Sequence, residues 1–172
     1  MALAYVALGA NLADPVAQIH AAFAALDDLP CSHLLRHSSL YRTAPIGVVG
    51  QPDFINAVAA LETGLTPHAL LAALLALEAR FGRRRERPLA PRTLDLDLLL
   101  FDDQIIDSPT LQLPHPRMHL RAFVLDPLVE IAPDCRLPGR GQAVAWKAAV
   151  SMQKIERLDP AEGLNPSSGK VS

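Results

Sequence analysis

One run limits what this chain can fold into more than any other: Ala90-Pro91-Arg92-Thr93-Leu94-Asp95-Leu96-Asp97-Leu98-Leu99-Leu100-Phe101. Apolar residues at alternate positions predict a strand. Successive strand side chains point to opposite faces. Leu94, Leu96, Leu98 and Leu100 are therefore expected on one face, and Asp95 and Asp97 on the other. Two like charges about 4 Å apart cost on the order of 4 kcal/mol at an effective dielectric of about 20. A divalent cation between them turns that cost into a binding site, and Arg92 just upstream suits an anionic ligand. The minimal functional reading is a Mg²⁺–phosphate site built on a strand. The bland alternative is a solvated strand face with Thr93, Asp95 and Asp97 turned outward.

The rest of the chain supplies partners for that strand. Ala4 to Gly9 reads as a buried first strand. Asp14-Pro15 predicts a helix start, with a capping acceptor and a residue pre-set for the first helical position. Val16, Ile19, Phe23 and Leu26 then recur at helical spacing. Leu34 to Tyr41 and Phe54 to Leu61 are strand-like, with a loop from Thr43 to Asp53 between them. Thr66-Pro67 opens a second helix, and Gly82 is expected to close it in a left-handed cap. Beyond the Asp strand, Gln104 to Ile106 and Thr110 to Leu113 read as a hairpin. A third helix is expected from His119, ended or kinked at Pro127, a fourth over Gln142 to Met152, and a last strand over Lys154 to Leu158. The order β-α-β-β-α-β predicts an α+β, ferredoxin-like core: a largely antiparallel sheet with helices packed on it. Residues 1–158 are expected to form a single domain, and residues 159–172, polar with Pro, Gly and Ser, a disordered tail.

Length and composition agree with a soluble single domain: 172 residues, 50% hydrophobic and 20% charged. A formal charge of −2 gives no global field for nucleic acid or membrane. The charge is instead local: Arg80, Arg83, Arg84, Arg85 and Arg87 fall just before the Asp pair. Cys31 and Cys135 have neither metal-ligand nor redox spacing, which favours a reducing compartment. With no leader-like N-terminus, the expected location is the cytoplasm.

Three further constellations bear on chemistry. The arginine loop can close over phosphates and offset charge that develops during phosphoryl transfer, or serve only as a solvated connector. Leu113-Pro114-His115-Pro116-Arg117-Met118-His119-Leu120-Arg121 is a second basic cluster, and Arg121 in the first turn of a helix opposes the helix dipole. Phe54 and Asn56 fall on one strand face; an aromatic plus an amide suits a planar heterocycle, and equally a core Phe beside a turn. No G-x-x-x-x-G-K-[ST] and no G-x-G-x-x-G after the first strand is present, so any nucleotide is held by side chains and metal.

Taken in order, these segments resemble the 6-hydroxymethyl-7,8-dihydropterin pyrophosphokinase family. The matching runs are Ala7-Leu8-Gly9-Ala10-Asn11-Leu12, Tyr41-Arg42-Thr43-Ala44-Pro45, Gln51-Pro52-Asp53-Phe54-Ile55-Asn56-Ala57, Gly82-Arg83, Pro91-Arg92-Thr93-Leu94-Asp95-Leu96-Asp97 and Pro114-His115-Pro116-Arg117-Met118 through Arg121-Ala122-Phe123. The resemblance implies Mg²⁺-dependent transfer of pyrophosphate from ATP to the pterin hydroxymethyl oxygen, releasing AMP, in folate biosynthesis. It implies that Asp95 and Asp97 bridge two Mg²⁺ ions once ATP is bound, with Arg83 and Arg92 gripping the transferring phosphates. It implies an ATP site lined by Glu78, Arg85, Leu98, Gln112, His115 and Arg121. It also implies a pterin site of Thr43, Ala44, Ile46, Phe54, Asn56 and Phe123, with the two phenylalanines sandwiching the ring. Ala44, Phe54, Pro88 and Leu89 depart from residues common in the family, which bears on closure of the arginine loop and on nucleotide affinity. A monomer acting on ATP and the pterin is expected. Two other readings of the topology stay open: a two-metal nucleotidyltransferase, distinguished by pyrophosphate release, and an RNA-binding module, for which 5% aromatics is a poor supply of stacking groups.

Overall fold

The structure is a computed structural model describing residues 1–12, 14–44, 52–82 and 94–159. The first strand, β1, spans Ala2–Ala10 and lies next to the centre of the sheet. Helix α1 (Pro15–Asp27) starts as expected: the Asp14 carboxylate accepts from Ala17 N–H at 3.3 Å and Pro15 takes the first helical position. The single strand expected over Leu34 to Tyr41 is two, β2 (Ser32–His37) and β3 (Tyr41–Thr43). Both pair with β4 (Phe54–Thr63). Ser38 bridges the break, because its N–H donates to Val58 C=O and its Oγ accepts from Val58 N–H.

Helix α2 (Pro67–Gly82) is capped by Thr66 Oγ1, which accepts from Ala69 N–H, and Gly82 is its last residue rather than a left-handed cap beyond it. The Asp strand, β5 (Asp95–Phe101), forms the sheet edge beside β1. The expected hairpin is present in shorter form, β6 (Ile106–Asp107) against β7 (Gln112–Leu113). A 3₁₀ turn at Met118–Leu120 precedes helix α3 (Ala122–Ile131), so the third helix starts three residues later than expected. Pro127 does not end it. The helix runs on to Ile131, held by buried Leu125 and Leu128 against the roughly 3 kcal/mol that an interior proline costs. The fourth helix is absent: after the β8 (Arg136–Leu137) and β9 (Gly141–Gln142) pair come two 3₁₀ turns, Ala143–Trp146 and Ala148–Val150. With only Ala143 and Val150 buried there, no apolar stripe selects a longer helix. The last strand, β10 (Glu156–Arg157), pairs with β3. The stretch 160–172, expected to be a tail, lies outside the described residues.

The sheet order is β10-β3-β4-β1-β5, every pair antiparallel, as the β-α-β-β-α-β reading requires. Helices α1 and α2 cover one face, where Ile19, Leu26, Leu70, Leu74 and Leu77 meet Val6, Leu8, Ala57, Leu61 and Leu96. Helix α3 covers part of the other face, packing Val124, Leu125 and Leu128 on Tyr5, Val58 and Leu100. The expected leucine face of β5 breaks at a bulge: Val6 opposes Leu98 while Tyr5 opposes Leu100, leaving Leu99 unmatched. Parity flips there, so Leu94, Leu96 and Leu98 face α1 and α2 while Leu100 joins the α3 side. Among the described residues, no helix is long and apolar enough to cross a membrane.

Candidate active site

Strand register assembles the site on the α3 face of the sheet. Gly9 on β1 lies between Asn56 on β4 and Asp95 on β5, and Ala7 lies between Val58 and Asp97. Asn56 and Asp95 are thus two strand spacings apart, roughly 10 Å. Between these site residues β1 shows only Ala7 and Gly9 on that face. A Cβ on Gly9 would come within 3.2 Å of Asn56 Oδ1, so the bare glycine is what lets the amide sit there. Asn56 is buried, and its Nδ2 donates to Thr43 Oγ1 at 2.8 Å.

This floor opens into a cavity of about 560 Å³. Thr43, Ala44, Phe54, Asn56 and Phe123, all expected around the pterin, line it together. Arg121, expected with the ATP group, lines this cavity too, its guanidinium carbon 5.4 Å from the Phe123 ring centre. A second cavity of about 550 Å³ lies on the other side of the Asp pair. Glu78, Leu98, Gln112 and His115, four of the six residues expected around ATP, line that one. Among the described residues only Asp95 and Asp97 line both, and both are exposed. Arg83, Arg85, Arg92 and Ile46 lie outside the described residues.

Local chemistry fixes the second cavity's polar groups. β5 is an edge strand among the described residues, and Glu78 Oε2 accepts from Leu96 N–H on its outer side at 2.7 Å. Glu78 therefore braces the strand between the two aspartates as well as lining the cavity. The Leu98 N–H, two residues on, points to the same edge. His115 N–H donates to the carbonyl of bulged Leu99 at 2.9 Å, so the irregularity in β5 is what docks the histidine beside Asp97. The His115 ring accepts at Nδ1 from Arg117 N–H at 3.1 Å, which leaves the proton on Nε2. Burial lowers the His115 pKa below the usual histidine value; Asp97 opposes the shift, and the Arg121, Arg117 and Arg140 guanidiniums add to it. The ring thus stands as a neutral Nε2–H donor.

The comparison with known proteins decides the family: the 7,8-dihydro-6-hydroxymethylpterin-pyrophosphokinase family model matches residues 5–133. The chain belongs to this family. Relatives of the same type span nearly its whole length. The 2-amino-4-hydroxy-6-hydroxymethyldihydropteridine pyrophosphokinase of Pseudomonas aeruginosa is 50% identical over 157 residues, 91% of this chain and 97% of that one. Its Haemophilus influenzae counterpart is 49% identical over 160 residues, 93% of this chain and all of the other. Among solved structures, wild-type Plasmodium falciparum HPPK-DHPS with pterin and p-hydroxybenzoate matches with a TM-score of 0.67 at 15% identity. That match covers 88% of this chain and 44% of the larger one, and it speaks to fold alone. The pyrophosphokinase family thus has the α+β fold described above, and the nucleotidyltransferase and RNA-binding readings are set aside.

Sequence reasoning gave no role to Ala7, Gly9, Leu120, Gln153 or Lys154, all of which line the first cavity. For Gly9 a signal existed, since a small residue pair on one face of a central strand marks close approach. For Gln153 and Lys154 none did, because their place depends on where the chain returns after α3.

Proposed function

We propose that the two cavities are the two substrate sites of the family's reaction and that Asp95 and Asp97 stand where the transfer occurs. The reaction, pyrophosphoryl transfer to hydroxymethyldihydropterin in folate biosynthesis, follows from family membership. In this reading the pterin enters the first cavity, between Phe54 and Phe123, with its polar edge on Asn56 and its hydroxymethyl group toward the aspartates. ATP occupies the second, with Leu98 at the free strand edge, Gln112 and the His115 Nε2–H as partners. The single observation that carries this is that the cavities share only the two carboxylates among the described residues.

The donor set suits Mg²⁺. The ion takes six oxygens in an octahedron and keeps water and phosphate among them. Among the described residues no three His, Cys, Asp or Glu side chains converge on a metal site, so those residues offer two hard carboxylates, with further positions open to substrate and water. Bound there, Mg²⁺ would offset charge on the transferring phosphates. The protein's own work is positioning: the sheet register sets the acceptor, the β5 edge and His115 set the donor, and Arg83 and Arg92 supply cations from the adjacent segment. Residues 1–158 act as one domain in this reading, a monomer sufficing because both cavities are built within one chain.

The test is incubation of the full chain with Mg²⁺, ATP and 6-hydroxymethyl-7,8-dihydropterin. AMP release in step with pterin pyrophosphate is expected, lost on chelation. ADP or free pyrophosphate as the nucleotide-side product would overturn the assignment.

A further inference from the structure

Helix α3 lacks its own cap at the point where it meets the first cavity. Position 121 is the N-cap, where Ser, Thr, Asp or Asn ordinarily accepts from a first-turn N–H. Arginine carries donors only, and Arg121 makes no capping bond. The acceptor comes from far along the chain. Gln153 Oε1 accepts from Ala122 N–H at 2.8 Å, and Gln153 Nε2 donates to Leu120 C=O at 2.9 Å. One carboxamide thus grips the backbone immediately before and after Arg121, and holds that residue extended at φ −126°, ψ 115°. Arg121 then lies over Phe123, and all three side chains line the same cavity.

We propose that Gln153 is a positioning residue for the pterin wall: it supplies the helix cap that Arg121 cannot, and so lets an arginine stand at the cavity with Phe123 set against the ring. The role lies in a segment beyond the residues 5–133 that the family model matches. It rests on the assignment of the first cavity to the pterin. Because Gln153 lines the first cavity and not the second, its effect should fall on one substrate.

The experiment compares wild type, Gln153→Ala, Gln153→Glu and Phe123→Ala as full chains. It measures 6-hydroxymethylpterin affinity by fluorescence titration, KM for each substrate, and the thermal midpoint. Gln153→Ala should weaken pterin binding and raise the pterin KM about tenfold, the scale of two net hydrogen bonds passed on in part to the ligand, with the ATP KM unchanged. Gln153→Glu keeps the acceptor for Ala122 and loses the donor to Leu120, so it should fall between. Wild-type pterin affinity in Gln153→Ala overturns the proposal, as does a parallel rise in both KM values that tracks lost thermal stability. Undiminished pterin binding in Phe123→Ala overturns the cavity assignment itself, and the role of Gln153 with it.

Discussion

The two cavities that meet at Asp95 and Asp97 are built by different means. The first has a floor of sheet, where backbone register alone places Gly9 between Asn56 and Asp95, and walls of Phe54 and Phe123. Two of its polar side chains are held in place, Asn56 by Thr43 and Gln153 by the backbone on either side of Arg121. The second is assembled from the end of α2, the free edge of β5, the β6–β7 hairpin and the turn at His115, with Glu78, Ser108, Thr110, Gln112 and His115 facing it. A floor preset by register suits a flat ring recognised by shape. A rim of polar side chains from four elements suits an elongated, charged ligand recognised by hydrogen bonds. Among the described residues only the aspartates belong to both, so substitutions of those residues should sort by cavity, with Asp95 and Asp97 escaping that sorting.

The largest effect is expected at Asp97. Asp97→Ala should lower kcat at least about 10³-fold, equivalent to about 4 kcal/mol of transition-state stabilisation. The circular dichroism spectrum should stay that of wild type, since the side chain is exposed on β5. Substantial turnover in this variant would break the idea that the cavities share one reaction centre. Asn56→Ala should come next and act on one cavity only. It leaves Thr43 Oγ1 without its donor and removes the polar edge, so pterin affinity should fall about 10- to 100-fold, the range for losing a partner of a buried polar group. ATP affinity, measured by calorimetry, should not move. Gly9→Ala should be milder in the same direction. The added Cβ would lie 3.2 Å from Asn56 Oδ1, so the amide must give by a few tenths of an ångström. A pterin KM raised about fivefold, with the ATP KM constant, is the expected reading.

How much of this the sequence disclosed also divides along the comparison. Strands and helices with a clear apolar pattern or cap, such as Ala4 to Gly9 within β1, the Asp14-Pro15 start and Phe54 to Leu61 within β4, were legible because local chemistry determines them. The placement of Asp95 and Asp97 on one strand face was legible because strand alternation determines it. The bulge at Leu99 was not, since one extra residue in a run of three leucines leaves the hydrophobic pattern unchanged while it turns Leu100 to the other face. The late start of the third helix was hidden for a related reason. Arg121 breaks the helix there because its cap is supplied by Gln153, a contact 31 residues away that no local window contains. The segment Gln142 to Met152 carried helical spacing without enough buried surface to realise it. Arg121 itself, which the resemblance grouped with the ATP site, lines the first cavity, toward which its extended backbone before α3 turns it.

The smallest predicted effect separates the cavities by pH. Burial holds the His115 pKa below the ordinary value of 6.5, with Asp97 opposing and three arginines reinforcing. The unfolded chain takes up a proton at this residue as pH falls through about 6.5, and the folded chain only at lower pH. Between those values the unfolded state binds more protons, so stability rises with pH there. The contribution is present above the ordinary histidine value and is lost as pH falls through the folded one. His119, lowered by burial and then by Arg140, acts in the same sense. The urea midpoint should therefore be flat from about pH 8 to 7 and decline below about 6.5, and His115→Gln should shallow that decline. ATP affinity should be level over the same upper range, since His115 stays a neutral donor, and pterin affinity should be indifferent to the substitution. The Asp97 link sharpens the test. Asp97 raises the His115 pKa, so in Asp97→Ala the ring should titrate at still lower pH, read from its imidazole proton resonances. A titration that does not move would mean the histidine and the carboxylate do not share the second cavity's field.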